Sequence, residues 1–269
     1  MRAIKISILA AFLLITALGT TAFIKAKHVA KPGADDKGFI IIELFTSEGC
    51  SSCPPADDLV AKIEKENTGK PVYILAYHVD YWNRLGWKDQ FSSADFSKRQ
   101  NDYANYLHLQ SVYTPQIVVN GKTEFVGSEE GTLRNAIKAN LQKSASAQIT
   151  LNVSNADQKH ADLKYTAEGA DKNTVLLIAV LQKNAQTKVL SGENGGHTLS
   201  HVQIVRKLQE VKLNGNSGTV KVSLPTGFDS KSWEIIGFLQ NTSTGIIPAA
   251  ARVSFPTEVS TSAMVKSSK

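Results

Sequence analysis

From Gly38 onward the apolar and polar positions fall into regular patterns. Residues 39–45 form a β-rich apolar run without turn residues, as expected of a buried parallel strand. Residues 54–66 read as a helix. Ala56, Leu59, Val60 and Ile63 share one face, Asp57 and Asp58 sit in the first turn, and Gly69 lies just past the end. Pro71 precedes a second buried run at 72–77, which completes a βαβ unit with an expected right-handed crossover. A polar stretch with Trp82 and Trp87 follows. A helix is then expected over 93–110, with Phe96, Tyr103 and Leu107 facing inward. Strands at 116–119 and 123–126 flank Asn120-Gly121, a type I′ turn signal because both central positions need positive φ. A helix over 132–141 closes the unit.

Beyond residue 147 the period changes to two. Ile149, Leu151 and Val153 alternate with polar residues, as do Ala161, Leu163 and Tyr165, then Val220, Val222 and Leu224. Longer apolar runs at 175–181, 202–205 and 233–239 read as buried strands. Turn signals separate them at 192–196, 214–218 and 225–227. About seven short strands predict a β-sandwich. The expected class is thus α/β over 38–143, followed by an all-β, sandwich-like segment over 147–257. The Ser/Thr-rich stretch 258–269 is expected to be a disordered tail.

Residues 1–26 differ in character. Arg2 and Lys5 precede an apolar run ending near Leu18, then Gly19, Thr20, Thr21 and Ala22. This is the pattern of a signal peptide cleaved after Ala22 or, if Phe23 and Ile24 extend the run, of an uncleaved N-terminal anchor. Either one exports the remainder, to the periplasm or cell envelope or as a secreted protein. Residues 27–37 are then a linker. The composition, 42% hydrophobic and 20% charged, is that of a folded globular protein. Most of the net charge of +6 sits at the ends: residues 37–257 hold 23 basic and 21 acidic residues, a net of +2. No basic footprint for nucleic acid results, and membrane contact is expected only through an uncleaved anchor.

The chain has two cysteines, Cys50 and Cys53. A bridge across two intervening residues hardly constrains the unfolded chain, so the pair makes better sense as a redox couple than as a staple. Zinc would want four ligands, against two sulfurs and scattered histidines. Loops after the carboxyl ends of parallel strands share one edge of an open sheet. That places Cys50, His78, Asp80 and Pro115 on one rim. Cys50 precedes a helix, whose free amides favour a thiolate and lower a thiol from about 8.5 to roughly 3.5–7.5. Cys50 is therefore the expected nucleophile and Cys53 the resolving thiol. Pro54 and Pro55 shift the regular helix toward Cys53 and weaken that hold. His78 and Asp80 are either proton shuttles that shape a substrate groove or satisfied loop-end groups. Trp82 and Trp87 are a peptide-binding surface or the packing of the inserted segment. Asn194-Gly195-Gly196 is a tight turn, or a loop docked on the rim that brings His197 or Arg206 close.

These residues resemble the thioredoxin superfamily. The resemblance lies in Cys50-Ser51-Ser52-Cys53 opening a helix, followed by Thr114-Pro115 entering a strand that ends in Asn120-Gly121. It implies a thioredoxin-like N-terminal domain, a cis Pro115, and a Thr114 backbone that pairs with an extended substrate beside Ser51, Ser52, His78, Asp80 and Trp82. It also implies a buried carboxylate beneath the site as proton acceptor, for which Glu43 is the candidate, one residue upstream of the usual place. A slip of one residue in a strand turns a side chain to the other face. The wording 43–57, with His78-Val79-Asp80-Tyr81-Trp82, Leu85-Gly86-Trp87, Tyr113-Thr114-Pro115-Gln116 and 192–199, is similar to a narrower exported bacterial family, domain of unknown function 1223.

The expected function is thiol–disulfide exchange with the thiols or disulfides of exported proteins, which needs no bound cofactor. The alternatives are a binding module that keeps the fold without the chemistry, and a metal-delivery protein using Cys50, Cys53 and His78.

Overall fold

The computed structural model describes residues 38–256. The leader, linker and tail expectations lie outside these residues.

β1 (Ile40–Thr46) is buried along its whole length. β2 (Val72–His78) runs parallel to it, β3 (Gln116–Val119) antiparallel, and β4 (Thr123–Val126) pairs with β3. Alternate residues of β1 serve two layers. Ile40, Ile42 and Leu44 pack on Leu59, Val60 and Ile63 of α1 (Pro54–Glu66) and on Leu133 and Ile137 of α3 (Glu130–Leu141). Ile41 and Phe45 instead meet Phe96 and Tyr103 of α2 (Ala94–Tyr106). Ser93 caps α2, its side chain accepting the Asp95 amide.

The remaining strands are β5 (Gln148–Ala156), β6 (His160–Glu168), β7 (Thr174–Lys188), β8 (Thr198–Lys212), β9 (Ser217–Ser223), β10 (Trp233–Asn241) and β11 (Ala249–Ser254). They form two layers as expected of a sandwich, but one layer is shared. β8 pairs in parallel with β2 at Ala76 and Ile204, so a single eight-stranded sheet runs β11-β10-β7-β8-β2-β1-β3-β4. The three-stranded sheet β5-β6-β9 covers part of it, around Ile149, Leu163, Ile178, Trp233 and Ile235. The molecule is therefore a mixed α/β structure in which the sheet crosses the segment boundary near residue 145. β7 and β8 have 15 residues each, long enough to pair with each other along the ladder and still reach the α/β edge.

The turn Asn120-Gly121 ties the two segments together. Both residues have positive φ, 47° and 67°. Asn120 donates its amide to Ile41 and accepts the Ile247 amide, at 3.0 Å each. A Cβ on Gly121 would lie 1.9 Å from the Gly245 carbonyl oxygen. Gly121→Ala therefore meets both a left-handed backbone penalty and a backbone clash. An expected loss of about 2–4 kcal/mol in a urea melt follows, with the reactivity of the Cys pair unchanged in the folded fraction.

Candidate functional site

The site begins where β1 ends. Ser47–Gly49 turn the chain, with the Cys50 amide on the Ser47 carbonyl at 3.2 Å, and a second turn brings the Cys53 amide onto the Cys50 carbonyl at 3.2 Å. Cys53 is the N-cap of α1, and Pro54 and Pro55 occupy its first positions, where no amide partner is lost. Cys50 thus stands a turn ahead of the helix. Cys50 and Cys53 are joined by a disulfide, their Cα atoms 5.4 Å apart.

The facing wall is Thr114-Pro115, whose peptide bond is cis. The Thr114 hydroxyl donates to Cys50 Sγ at 3.3 Å and accepts from Trp82 Nε1 at 2.8 Å. The Thr114 carbonyl accepts from Ser52 Oγ at 3.4 Å. Cys50, Cys53, Ser52, Trp82, Thr114 and Pro115 therefore come together as the sequence suggests. Ser51 and Ser52 are exposed, yet both cysteines show 0% exposure.

A buried polar cluster lies around the loops at this edge. The His78 ring and Asp89 meet at 2.7 Å, and Asp89 also accepts the amides of Glu48 and Phe91. Burial opposes the Asp89 charge, but His78 and those amides prevail and hold its carboxyl below the usual range. Trp87 Nε1 donates to Glu48, and His201 of β8 stands 3.4 Å from the other Glu48 oxygen. The His78 and His201 rings cross at 4.8 Å between centroids. His78 is 0% exposed in this structure, its Nδ1 paired with Asp89 and its Nε2 buried without a hydrogen-bond partner. Asp80 accepts Ser97 Oγ of α2 and its amide returns to the same oxygen, so it orients the start of α2. Trp87 is packing and anchoring for Glu48, whereas Trp82 touches the site itself.

Glu43 corrects the expectation placed on it. Its side chain points to the α2 face, where Arg99 grips it through Nε and Nη2 and the Tyr103 hydroxyl donates to it. The alternation of β1 puts Thr46, not Glu43, on the α1 side. Thr46 Oγ1 donates to Asp57 at 3.1 Å. Asp57 is buried in the first turn of α1, its amide on the Cys53 carbonyl at 3.2 Å. Burial raises its pKa to about 7, with His201 and the Thr46 hydroxyl opposing and Asp89 and Asp58 adding to the rise. In the sequence Asp57 looked like an ordinary first-turn helix acid. The apolar face that it shares with Ala56 and Val60 was the signal that it is buried.

The loop 189–197 joins β7 and β8 and docks on the rim, as one of the two sequence readings had it. Asn194 Nδ2 donates to the carbonyls of Glu48 and Cys50, each at 2.9 Å, and Glu193 accepts the Ser51 amide at 3.0 Å. It is Asn194 and Glu193 that reach the Cys pair. His197 is exposed, and Arg206 lies over Phe91 and Trp233. A separate cleft of about 190 Å³ lies over Arg99 between α2 and β7, β8 and β10, away from the Cys pair. Among the described residues no group of three or more His, Cys, Asp or Glu side chains is arranged to hold a metal ion.

In solved structures the chain is similar to a protein of Agrobacterium tumefaciens, at 28% identity over 80% of this chain and 93% of that one, with a TM-score of 0.62. A domain of the outer membrane lipoprotein Omp28 of Porphyromonas gingivalis aligns more loosely, at 14% identity over 41% of this chain and 88% of that one, with a TM-score of 0.29. No curated protein matches the chain in sequence. Residues 41–240 match the family described as protein of unknown function (DUF1223).

Proposed function

Because the chain belongs to the DUF1223 family, whose description names no reaction, we propose from the site itself that it is a thiol–disulfide oxidoreductase of the cell envelope acting through Cys50 and Cys53. The observation that carries this is a disulfide between residues three apart, at the start of a helix and against a cis proline. Such a bridge contributes almost nothing as a staple. The strand order β2-β1-β3-β4, with the Cys pair after β1 and the cis proline before β3, supports a thioredoxin-like N-terminal part. The envelope location rests on the leader pattern in the sequence.

In exchange with a dithiol client, one client thiolate attacks Cys50 Sγ and the Cys50–Cys53 bond breaks. Cys53 leaves as a thiolate and takes a proton, and we assign the role of donor to the buried Asp57 carboxyl one helical turn further along α1. The second client thiolate then attacks the client sulfur of the mixed disulfide, which releases Cys50 as a thiolate and the client as a disulfide. The reverse sequence reduces a client disulfide. Thr114 offers its backbone to an extended client segment beside Ser51, Ser52 and Trp82.

The full burial of both sulfurs favours one alternative, a non-catalytic binding module. Cys53→Ser trapping separates the two. In envelope extracts the variant is expected to collect exported proteins on Cys50 through bonds that dithiothreitol releases, and Cys50→Ser/Cys53→Ser is expected to collect none. A reduced pair that neither traps proteins nor reacts with iodoacetamide at neutral pH would end the exchange assignment.

A further inference from the structure

The backbone around the disulfide is bound by a part of the chain about 140 residues away from it, and one of the bonds is a charged anchor on the residue next to Cys50. Asn194, only 6% exposed, supplies the neutral bonds to the Glu48 and Cys50 carbonyls. Ser191 Oγ donates to the Gly86 carbonyl, and Gly192, at φ +77°, lies against Trp87, where a Cβ would come within 3.2 Å. The loop holds its own shape through the amides of Val189, Gly195, Gly196 and His197, each on a carbonyl of the same loop. Glu193 is the charged anchor. Its carboxylate sits on the Ser51 amide, and the Ser51 hydroxyl and amide hold it below the usual carboxylate range.

Resting on the exchange assignment above, we propose that the loop 189–197 is a redox-sensitive latch, closed over the Cys50–Cys53 disulfide and released when Cys50 becomes a thiolate, with Glu193 as the positioning residue that senses the change. Reduction by a dithiol breaks the Sγ–Sγ bond, oxidises the dithiol to its disulfide, leaves Cys50 as a thiolate and protonates Cys53. A negative charge then stands one residue from the amide that Glu193 occupies. Like charges at this range repel. Asn194 has no such quarrel with the thiolate, so the neutral bonds hold the loop and the charged one decides its state. Contacts made only in the oxidised state also stabilise the disulfide, which makes the pair more reducing.

Hydrogen–deuterium exchange on the full chain tests this, with and without excess dithiothreitol at pH 7. The amides of Gly195, Gly196 and His197 are expected to lose about tenfold in protection on reduction. Glu193→Gln is expected to hold equal protection in both states and to shift the equilibrium with glutathione about tenfold toward the reduced pair, near 30 mV. Asn194→Ala is expected to open the loop in both states and to speed reduction by dithiothreitol. Equal protection in both states of the unaltered protein overturns the latch, as does a Glu193→Gln variant that responds like the unaltered protein. Glu193 is exposed, so its variant tests the idea even if Asn194→Ala folds poorly. No client is needed: a redox response without trapped clients rejects the exchange assignment alone, and trapped clients without a response reject the latch alone.

Discussion

Asp57→Asn is expected to slow exchange at pH 7 about a hundredfold while making the folded protein more stable at that pH and above. Asp57 is 7% exposed, and its hydrogen-bonding partner is the Thr46 hydroxyl. Burial lifts its pKa from 3.8 to about 7. The folded state therefore holds this proton more tightly than the unfolded chain does. The stabilisation is complete below pH 3.8 and is lost as the pH rises toward 7, at about 1.4 kcal/mol per unit and so roughly 4 kcal/mol in all. Asparagine mimics the protonated form at every pH. Urea melts should show the variant level with the unaltered protein near pH 4 and more stable at pH 8. A proton donor poised near neutral pH is worth about a hundredfold or more in rate. A variant that keeps both the rate and the pH profile between pH 5 and 8 would remove Asp57 from the chemistry.

The contrast between Asp57 and Glu43 shows how far the sequence reaches. The Cys pair, the helix after it, Thr114-Pro115 and the hairpin at Asn120 were legible because each is a local signal: spacing, proline, glycine and periodicity. The choice of carboxylate was not, because it depends on which face of β1 each residue takes, and one residue separates the two answers. The shared sheet was hidden for a different reason. The apolar run at 202–205 marks a buried strand, and says nothing of which strand edge will accept Ile204. Ala249–Ser254 is a short strand rich in alanine, a residue with weak strand preference, and it forms because β10 offers an edge beside it. Burial of His78 follows from Asp89, eleven positions later in a polar stretch with no periodicity to place it. The docked loop needed the length of β7 and β8 to carry Asn194 to the rim.

The largest loss of stability is expected from Arg99→Met, about 3–5 kcal/mol and roughly 10 °C in Tm. Arg99 joins three elements beneath the cleft between α2 and β7, β8 and β10. It donates to Glu43 of β1 at 2.5 and 2.9 Å, to Tyr103 of α2 at 2.9 Å and to Gln240 of β10 at 3.1 Å. Its guanidinium also lies over Tyr77, Tyr103 and Phe238, 5.0–5.4 Å from the ring centroids. Burial alone would lower the arginine's pKa, but Glu43 and the tyrosines raise it well above its usual value. Methionine fills much of the volume and leaves the Glu43 carboxylate buried without its cation, which is the costly part. Glu43→Leu combined with Arg99→Met removes both charges together and is expected to recover most of the loss in the same thermal melt. If Glu43 serves the fold, the double variant keeps the unaltered exchange rate and pH profile. A double variant that regains its stability but loses exchange would put Glu43 back beside the Cys pair, in the part that its place in the sequence first suggested.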